Sequence, residues 1–386
     1  MLRATSIILG LVVAAGLPSG ALAQGGDWEF TPESLKASEA AIEWLAKNQG
    51  NEGNWESNDL GLVSLGTLAF MSAGHLPGRG KYGENVQKAV DYVLSNAQKS
   101  GLLNIAAKGR DMYNHGLSTF VLTQAYGMCN DRRIGAALDK ALKLICQVQC
   151  GDGGWDYVAE KQARGHDLSL AVMQAKAIRG AMDSGLKIPQ RNIEQAIASV
   201  RGYYRPTGGP DGKAKEYGNH PMADRPGRFT YEGKSGTTAM AAAGVVCLQE
   251  FGQYDDFRIY RSIDEVIHDV KNRMKVEQGK LPFDAYTMYY VAQALYQVGG
   301  ERWRENYPRV RDAVVKSQSG SADQDRGSWQ EGRVSGKPGK LFGTAVGAFT
   351  LNIPNRFLPI LQEGRVDPRS LRGSDDGAAP AGGGRP

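Results

Sequence analysis

Five of the 386 residues are histidine, and two of them fall at equivalent places in consecutive segments: His115 in Tyr113-Asn114-His115 and His166 in Gly165-His166-Asp167. An imidazole titrates near neutral pH and a carboxylate beside it orients it, so a His pair with Asp167 has the makings of an acid-base or metal site. Asp284 and Tyr286 complete a candidate catalytic set of His115, His166, Asp167, Asp284 and Tyr286. The candidate ligand-binding set is Tyr113, His115, His166, Glu232 and Lys234. A structural reading stands beside this one. Asp59, Asn114, Asp167 and Asp284 occupy positions where helix N-caps are preferred, at about 1 kcal/mol each, and buried histidines serve as hydrogen-bonded spacers.

Other chemistries find less support. Cys146 and Cys150 have no nearby His to complete a zinc site, so no metal and no cofactor is expected. Cys129 and Cys146 lie near opposite ends of one expected helix, over ~20 Å apart at about 1.5 Å per residue, beyond disulfide reach. The expectation is four unpaired thiols. A formal charge of +5 with acids and bases interspersed gives no electrostatic grip on nucleic acid.

Arg3, the apolar run Ile7 to Leu17 and Ala21-Leu22-Ala23 read as a signal peptide over residues 1–23, which predicts export to the periplasm or medium. No membrane span is expected after cleavage, because a span needs about 20 apolar residues. Residues 363–386, rich in Gly, Pro, Ala and Arg, have too little apolar content to fold.

The elements that must position the candidates are helices of two kinds. Leu35 to Gln49, Val86 to Gln98, Ile134 to Gln149, Ile193 to Tyr204, Ile263 to Gln278 and Val310 to Gln318 are amphipathic at helical spacing. Leu60 to Ala73, Gly116 to Tyr126, Leu168 to Met182, Gly236 to Phe251, Ala285 to Val298 and Gly343 to Leu351 are apolar or small nearly all round, as buried helices are. Gln49, Gln98 and Gln149 recur at a step of about 50 residues, within the range of stacked repeats. The economical arrangement is an all-α (α/α)6 toroid of six helix-hairpin repeats over residues 24–362, the buried set forming the inner ring. An open solenoid of helix pairs is the alternative.

Three Gly-rich turns end in tryptophan: Gln49 to Trp55, Gln149 to Trp155 and Gln318 to Trp329. They resemble the Q-W motif of the squalene cyclase and protein prenyltransferase repeat superfamily, in which Gln and Trp tie one repeat to the next. MYNHGLSTFVLTQAYGM, GGWDY, TAMAAAGVVCLQEFG, YYVAQALYQVGGERW and RFLPIL are similar to an exported bacterial group of such repeat proteins with no settled activity. The resemblance implies the toroid and departs from the enzymes. No D-x-D-D acid motif of the cyclases is present, Asp284 lacks the Cys and His of the prenyltransferase zinc site, and no thioester cysteine motif occurs.

All six inner helices would begin at one mouth, so six positive dipole ends converge there and an anion should be welcome. Arg110, Arg164, Lys234, Lys280, Arg333 and Lys340 suggest a basic collar. Two long connections, Arg201 to Lys234 and Ser319 to Lys340, overhang the same mouth, the first suited by its tyrosines to a lid or a recognition surface. Two functions follow. One is a binding module holding a hydrophobic, isoprenoid or lipid-like molecule, or a polypeptide segment, in a central cavity. The other is an enzyme acting on a lipid or a polysaccharide through the His/Asp set. Oligomeric state is left open.

Overall fold

Twelve α-helices make up the fold among the described residues of a computed structural model, which are 26–218, 220–233, 236–320 and 324–362. The expected signal peptide and tail lie outside them. The inner helices are α2 (Leu60–Ser72), α4 (Asp111–Met128), α6 (Leu168–Asp183), α8 (Thr238–Glu250), α10 (Ala285–Val298) and α12 (Gly336–Asn352). The outer helices are α1 (Pro32–Asn48), α3 (Gly83–Ser95), α5 (Arg132–Gln147), α7 (Gln190–Arg201), α9 (Phe257–Asn272) and α11 (Gly300–Ser317).

Periodicity explains the division. In α5 the buried side chains are Ile134, Leu138, Ala141, Leu142 and Ile145, a single stripe, whereas every residue of α2 and of α8 is buried. Each inner helix packs on the next, and α12 packs on α2, so the ring is closed. Four outer helices lie chiefly against the inner helix that precedes them, α3 on α2, α5 on α4, α9 on α8 and α11 on α10, while α7 sits between α6 and α8. The first helix, α1, has no predecessor and seats against α12 and α11, sealing the seam. Ser38 donates to Asn352 across it at 2.8 Å.

The three Gln-Trp turns act as ties. The Gln149 amide donates to Gly153 O and to Asn192 O on α7, both at 2.9 Å, and Asn192 returns a hydrogen bond at 2.6 Å. Gln49 is bonded in the same way to Asn85 of α3, and Gln318 to Ala37 O of α1. Each indole is buried, and its Nε1 donates back to the outer helix just ended, at Leu45 O, Ile145 O and Ser317 Oγ.

Several boundaries differ from expectation for local reasons. Helix α11 begins at Gly300, ahead of the expected Val310, because its first turns bury Trp303, Asn306 and Tyr307 among charged residues and carry Pro308 internally, which reads as a break. Helix α9 starts at Phe257 on the N-cap Asp256. Helices α4 and α12 begin at Asp111 and Gly336, so residues 113–115 and 340–342 are already helical.

The axis of the toroid is bridged by side chains. Lys176 of α6 pairs with Glu250 of α8 at 3.2 Å, donates to Gln293 of α10 and lies 4.3 Å over the Phe120 ring of α4. Tyr290 Oη reaches Met173 Sδ at 3.4 Å. At the inner-helix C-termini, Leu358, Ile360 and Leu361 are buried, and Ile360 N–H donates to Gln124 Oε1 at 3.0 Å, so residues 353–362 cover that end.

Candidate functional site

The opposite mouth, at the inner-helix N-termini, gathers polar groups on one residue. Asp167 is the N-cap of α6; its Oδ1 accepts the Ser169 N–H at 2.8 Å and the Ser169 hydroxyl. Its Oδ2 accepts from Tyr157 Oη at 2.8 Å and pairs with His166 Nδ1 at 2.9 Å. The Asp167 side chain is fully buried, while that of His166 is 43% exposed.

Proton counting gives the network a direction. A carboxylate only accepts, so with both the Tyr157 and Ser169 hydroxyls donating to it, Tyr231 must donate to Tyr157 and Tyr113 to Ser169. Nδ1 of His166 carries a proton into the same carboxylate, and Nε2 is left as the basic nitrogen. The phenols stay protonated. Burial raises the Tyr113 pKa and pushes Tyr231 up to about 12; burial and the bonds to Tyr231 and Asp167 drive Tyr157 higher still. Tyr286 has its hydroxyl buried near Ser169 and Tyr113 yet meets no partner at hydrogen-bonding geometry among the described residues, and burial raises its pKa strongly.

His166 opens onto a cleft of about 620 Å³ that is also lined by Asp152, Asp156, Arg164, Tyr203, Arg205 and Glu232. Two of the carboxylates have backbone partners: Asp152 Oδ1 accepts from Gly154 N–H and Gly165 N–H, and Asp156 Oδ1 accepts from Tyr157 N–H. Glu232 is exposed. Its lining is mostly charged and polar.

The structure separates the two histidines. His115 is wholly buried on the far side of α4, where Nδ1 accepts from Leu103 N–H at 3.1 Å and Nε2 donates to Ala141 O of α5 at 3.0 Å. Burial holds its pKa down at about 4. It shares no partner with His166, so His115 leaves both candidate sets: it is a spacer between a loop and an outer helix. Asn114, expected as a cap, lies within α4 and donates to Asn104. Asp284 does cap α10, and its carboxylate also meets Arg333, so it is turned away from the His166 network. Tyr113, His166, Asp167 and Glu232 gather at the mouth, with Tyr286 behind them. Lys234 lies outside the described residues.

Expectations about charge change as well. Asp59, Asp167 and Asp284 cap their own helix N-termini, and Glu331 adds a second carboxylate at α10 through Ala285 N–H. The dipole ends are thus met largely by the protein's own anions. The collar is likewise paired: Arg110 with Asp59, Arg333 with Asp284, Lys340 with Asp325, Lys280 with Glu277 and, loosely, Arg164 with Asp152.

The first long connection is a pinned ribbon and not a lid. Strands β1 (Tyr204–Pro206) and β2 (Gly227–Phe229) pair antiparallel, Arg261 of α9 grips Asp211 with two hydrogen bonds, and Tyr217 donates to Asp264 at 2.6 Å. Its residues 231–233 reach the mouth. Ser169 was missed at the sequence level because a serine two residues after a capping Asp looks like ordinary helix. Tyr157 and Tyr231 carry no periodic signal.

No protein-family model matches the chain, and no curated protein matches its sequence. The chain is an (α/α)6 toroid. Solved structures that it resembles are an α-amylase from Clostridium perfringens (11% identity, 82% of this chain and 97% of that one, TM-score 0.53) and a GH76 α-mannanase of Bacteroides thetaiotaomicron (9%, 83% and 95%, 0.52). A third is a glycosyl hydrolase family 88 protein from Bacteroides vulgatus (11%, 84% and 99%, 0.52). At such identities the likeness is one of fold alone. No described helix is long and apolar enough to cross a membrane, and no described group of three or more His, Cys, Asp or Glu is placed to hold a metal. All four cysteines are free.

Proposed function

We propose that this toroid acts on a glycan in the cleft at its inner-helix N-terminal mouth, with His166 as the acid-base group and Asp167 as its orienting partner. The observation that carries the reading is the 2.9 Å contact of His166 Nδ1 with a carboxylate that already takes three other donors, on a half-exposed ring facing a polar cleft. As the attacking water bonds to the anomeric carbon, Nε2 takes its proton and the glycosidic bond breaks, the departing sugar oxygen being protonated by solvent at the half-exposed site. Glu232, exposed on the same cleft, is the carboxylate available to act opposite it. Tyr203, on the lining of the cleft, offers an aromatic side chain beside it. That the similar structures are an α-amylase, an α-mannanase and a glycosyl hydrolase agrees with this reading without carrying it.

The hydrophobic-ligand reading fits less well, because a lipid along the axis would have to displace Lys176, Phe120 and Tyr290 from buried contacts. We also propose, from the repeated Gln-Trp ties, that the chain shares the repeat plan of the squalene cyclase and prenyltransferase superfamily. Export, proposed from residues 1–23, would bring the toroid to extracellular glycans.

The test is depolymerisation of a panel of soluble polysaccharides by the mature protein, followed by size-exclusion chromatography. His166→Ala should abolish product. Asp167→Asn, which keeps a good N-cap, should lower the rate by about 100-fold or more, as for a disabled general base. Unchanged cleavage by His166→Ala sinks the assignment, and binding without cleavage returns the chain to a non-catalytic binding module.

A further inference from the structure

Resting on that reading of the mouth, we infer that the cleft selects an anionic glycan, one bearing a carboxylate or a sulfate, and that Arg205 is the residue that selects it. Arg205 stands on β1 in the wall of the cleft that holds His166. Its guanidinium is held by three backbone carbonyls and no carboxylate: Nε donates to Gly233 O at 3.0 Å, and Nη1 to Gly202 O and Tyr204 O, both at 2.7 Å. The arginines and lysines of the expected collar that the structure describes are neutralised by an acid; Arg205 is not, among the described residues.

The cradle is built for this placement. Gly202 caps α7 at its C-terminus, where backbone carbonyls are turned outward. Gly233 has φ +81°, a left-handed conformation that favours glycine, and its carbonyl is turned to the guanidinium. A guanidinium pinned by three carbonyls keeps its full charge and loses little freedom when it pairs, and its remaining N–H groups suit a planar carboxylate or a sulfate. Asp152 and Asp156 in the same cleft each have an oxygen engaged by backbone amides. Glu232 is the one lining carboxylate without a hydrogen bond or ion pair among the described residues. An anionic sugar paired with Arg205 is held in the same cleft as His166.

Affinity electrophoresis with matched polymer pairs tests the inference: galactan against polygalacturonate, and dextran against dextran sulfate. The expected result is retardation by one or both anionic members, falling as NaCl is raised, with no retardation by the neutral ones. Retention by polygalacturonate alone assigns a carboxylate, and by dextran sulfate alone a sulfate. Arg205→Gln should weaken the anionic interaction at least tenfold, with far-UV circular dichroism and melting temperature unchanged. Equal or stronger binding of the neutral polymers, or anionic binding untouched by Arg205→Gln, overturns the role of Arg205 while leaving a glycan site in place. If no polymer of either kind binds, the glycan reading of the mouth falls together with it. Should Arg205→Gln fold poorly, the salt dependence of the wild-type interaction decides: binding insensitive to NaCl rejects an anion held by a guanidinium.

Discussion

The two histidines singled out by spacing have opposite surroundings, and the difference makes a measurable prediction. His166 has one nitrogen on a carboxylate and a half-exposed ring. His115 has both nitrogens bonded to backbone, accepting from Leu103 N–H and donating to Ala141 O, so a second proton on Nδ1 would face another donor. With its pKa held at about 4 in the folded chain and about 6.5 when unfolded, the unfolded state takes up the proton first as the pH falls. Stability is therefore full above about pH 6.5 and is lost progressively down to about pH 4, by about 3 kcal/mol in all. Denaturant unfolding at pH 7 and pH 4.5 should show His115→Gln less stable than wild type at pH 7, with the gap narrowing on acidification. Parallel pH dependence in the two proteins would remove His115 as the cause. The sequence marked both residues for chemistry because it shows which types recur and at what interval; which face of α4 a histidine occupies depends on where the helix begins, and Asp111 starts it before residues 113–115.

At the level of the element, the fold rests on the turns that end in tryptophan. Gly153 has φ +86°, and a Cβ there would lie 2.1 Å from Gln195 O on α7. Gly327 meets Ala40 of α1 and Gly53 meets Lys88 of α3 in the same way. Gly185 has a comparable φ of +75° with nothing within 4 Å, and so separates the two costs. Gly185→Ala should cost about 1–2 kcal/mol, the strain of a left-handed alanine, and Gly153→Ala at least about 3 kcal/mol, because the backbone of α7 must also move. Similar losses at the two sites, measured by urea unfolding, would mean that close approach contributes nothing. These turns were readable in advance because Gln, Gly and Trp each have a local reason to be there. The inner-outer order of the hairpins was not readable, since it depends on which neighbour an outer helix packs against. Nor was the start of α11, where Trp303 and Tyr307 are buried among Arg and Glu.

For the molecule as a whole, closure makes the two ends of the described chain neighbours. Helix α1 lies in the groove between α11 and α12, and Glu29 just before it accepts from both terminal nitrogens of Arg356 at 3.1 Å and from Trp303 Nε1 at 2.6 Å. Glu29 is 1% exposed and the Arg356 side chain 9%, so this is a buried pair that bolts the first segment to the last. Removing one partner of such a pair costs about 3–5 kcal/mol, far more than an exposed pair such as Lys143 with Asp139, which contributes roughly 0.3–0.5 kcal/mol. In a ring of repeats that each touch mainly their neighbours, a weakened seam is where opening starts. Glu29→Ala should therefore lower stability by about 3 kcal/mol and speed amide exchange first in α1, in α12 and in residues 353–362, while α4, α5 and α6 across the ring keep their protection. Lys143→Ala should leave all of these unchanged. Exchange that accelerates evenly around the ring in Glu29→Ala would show that the toroid opens as one unit and has no seam.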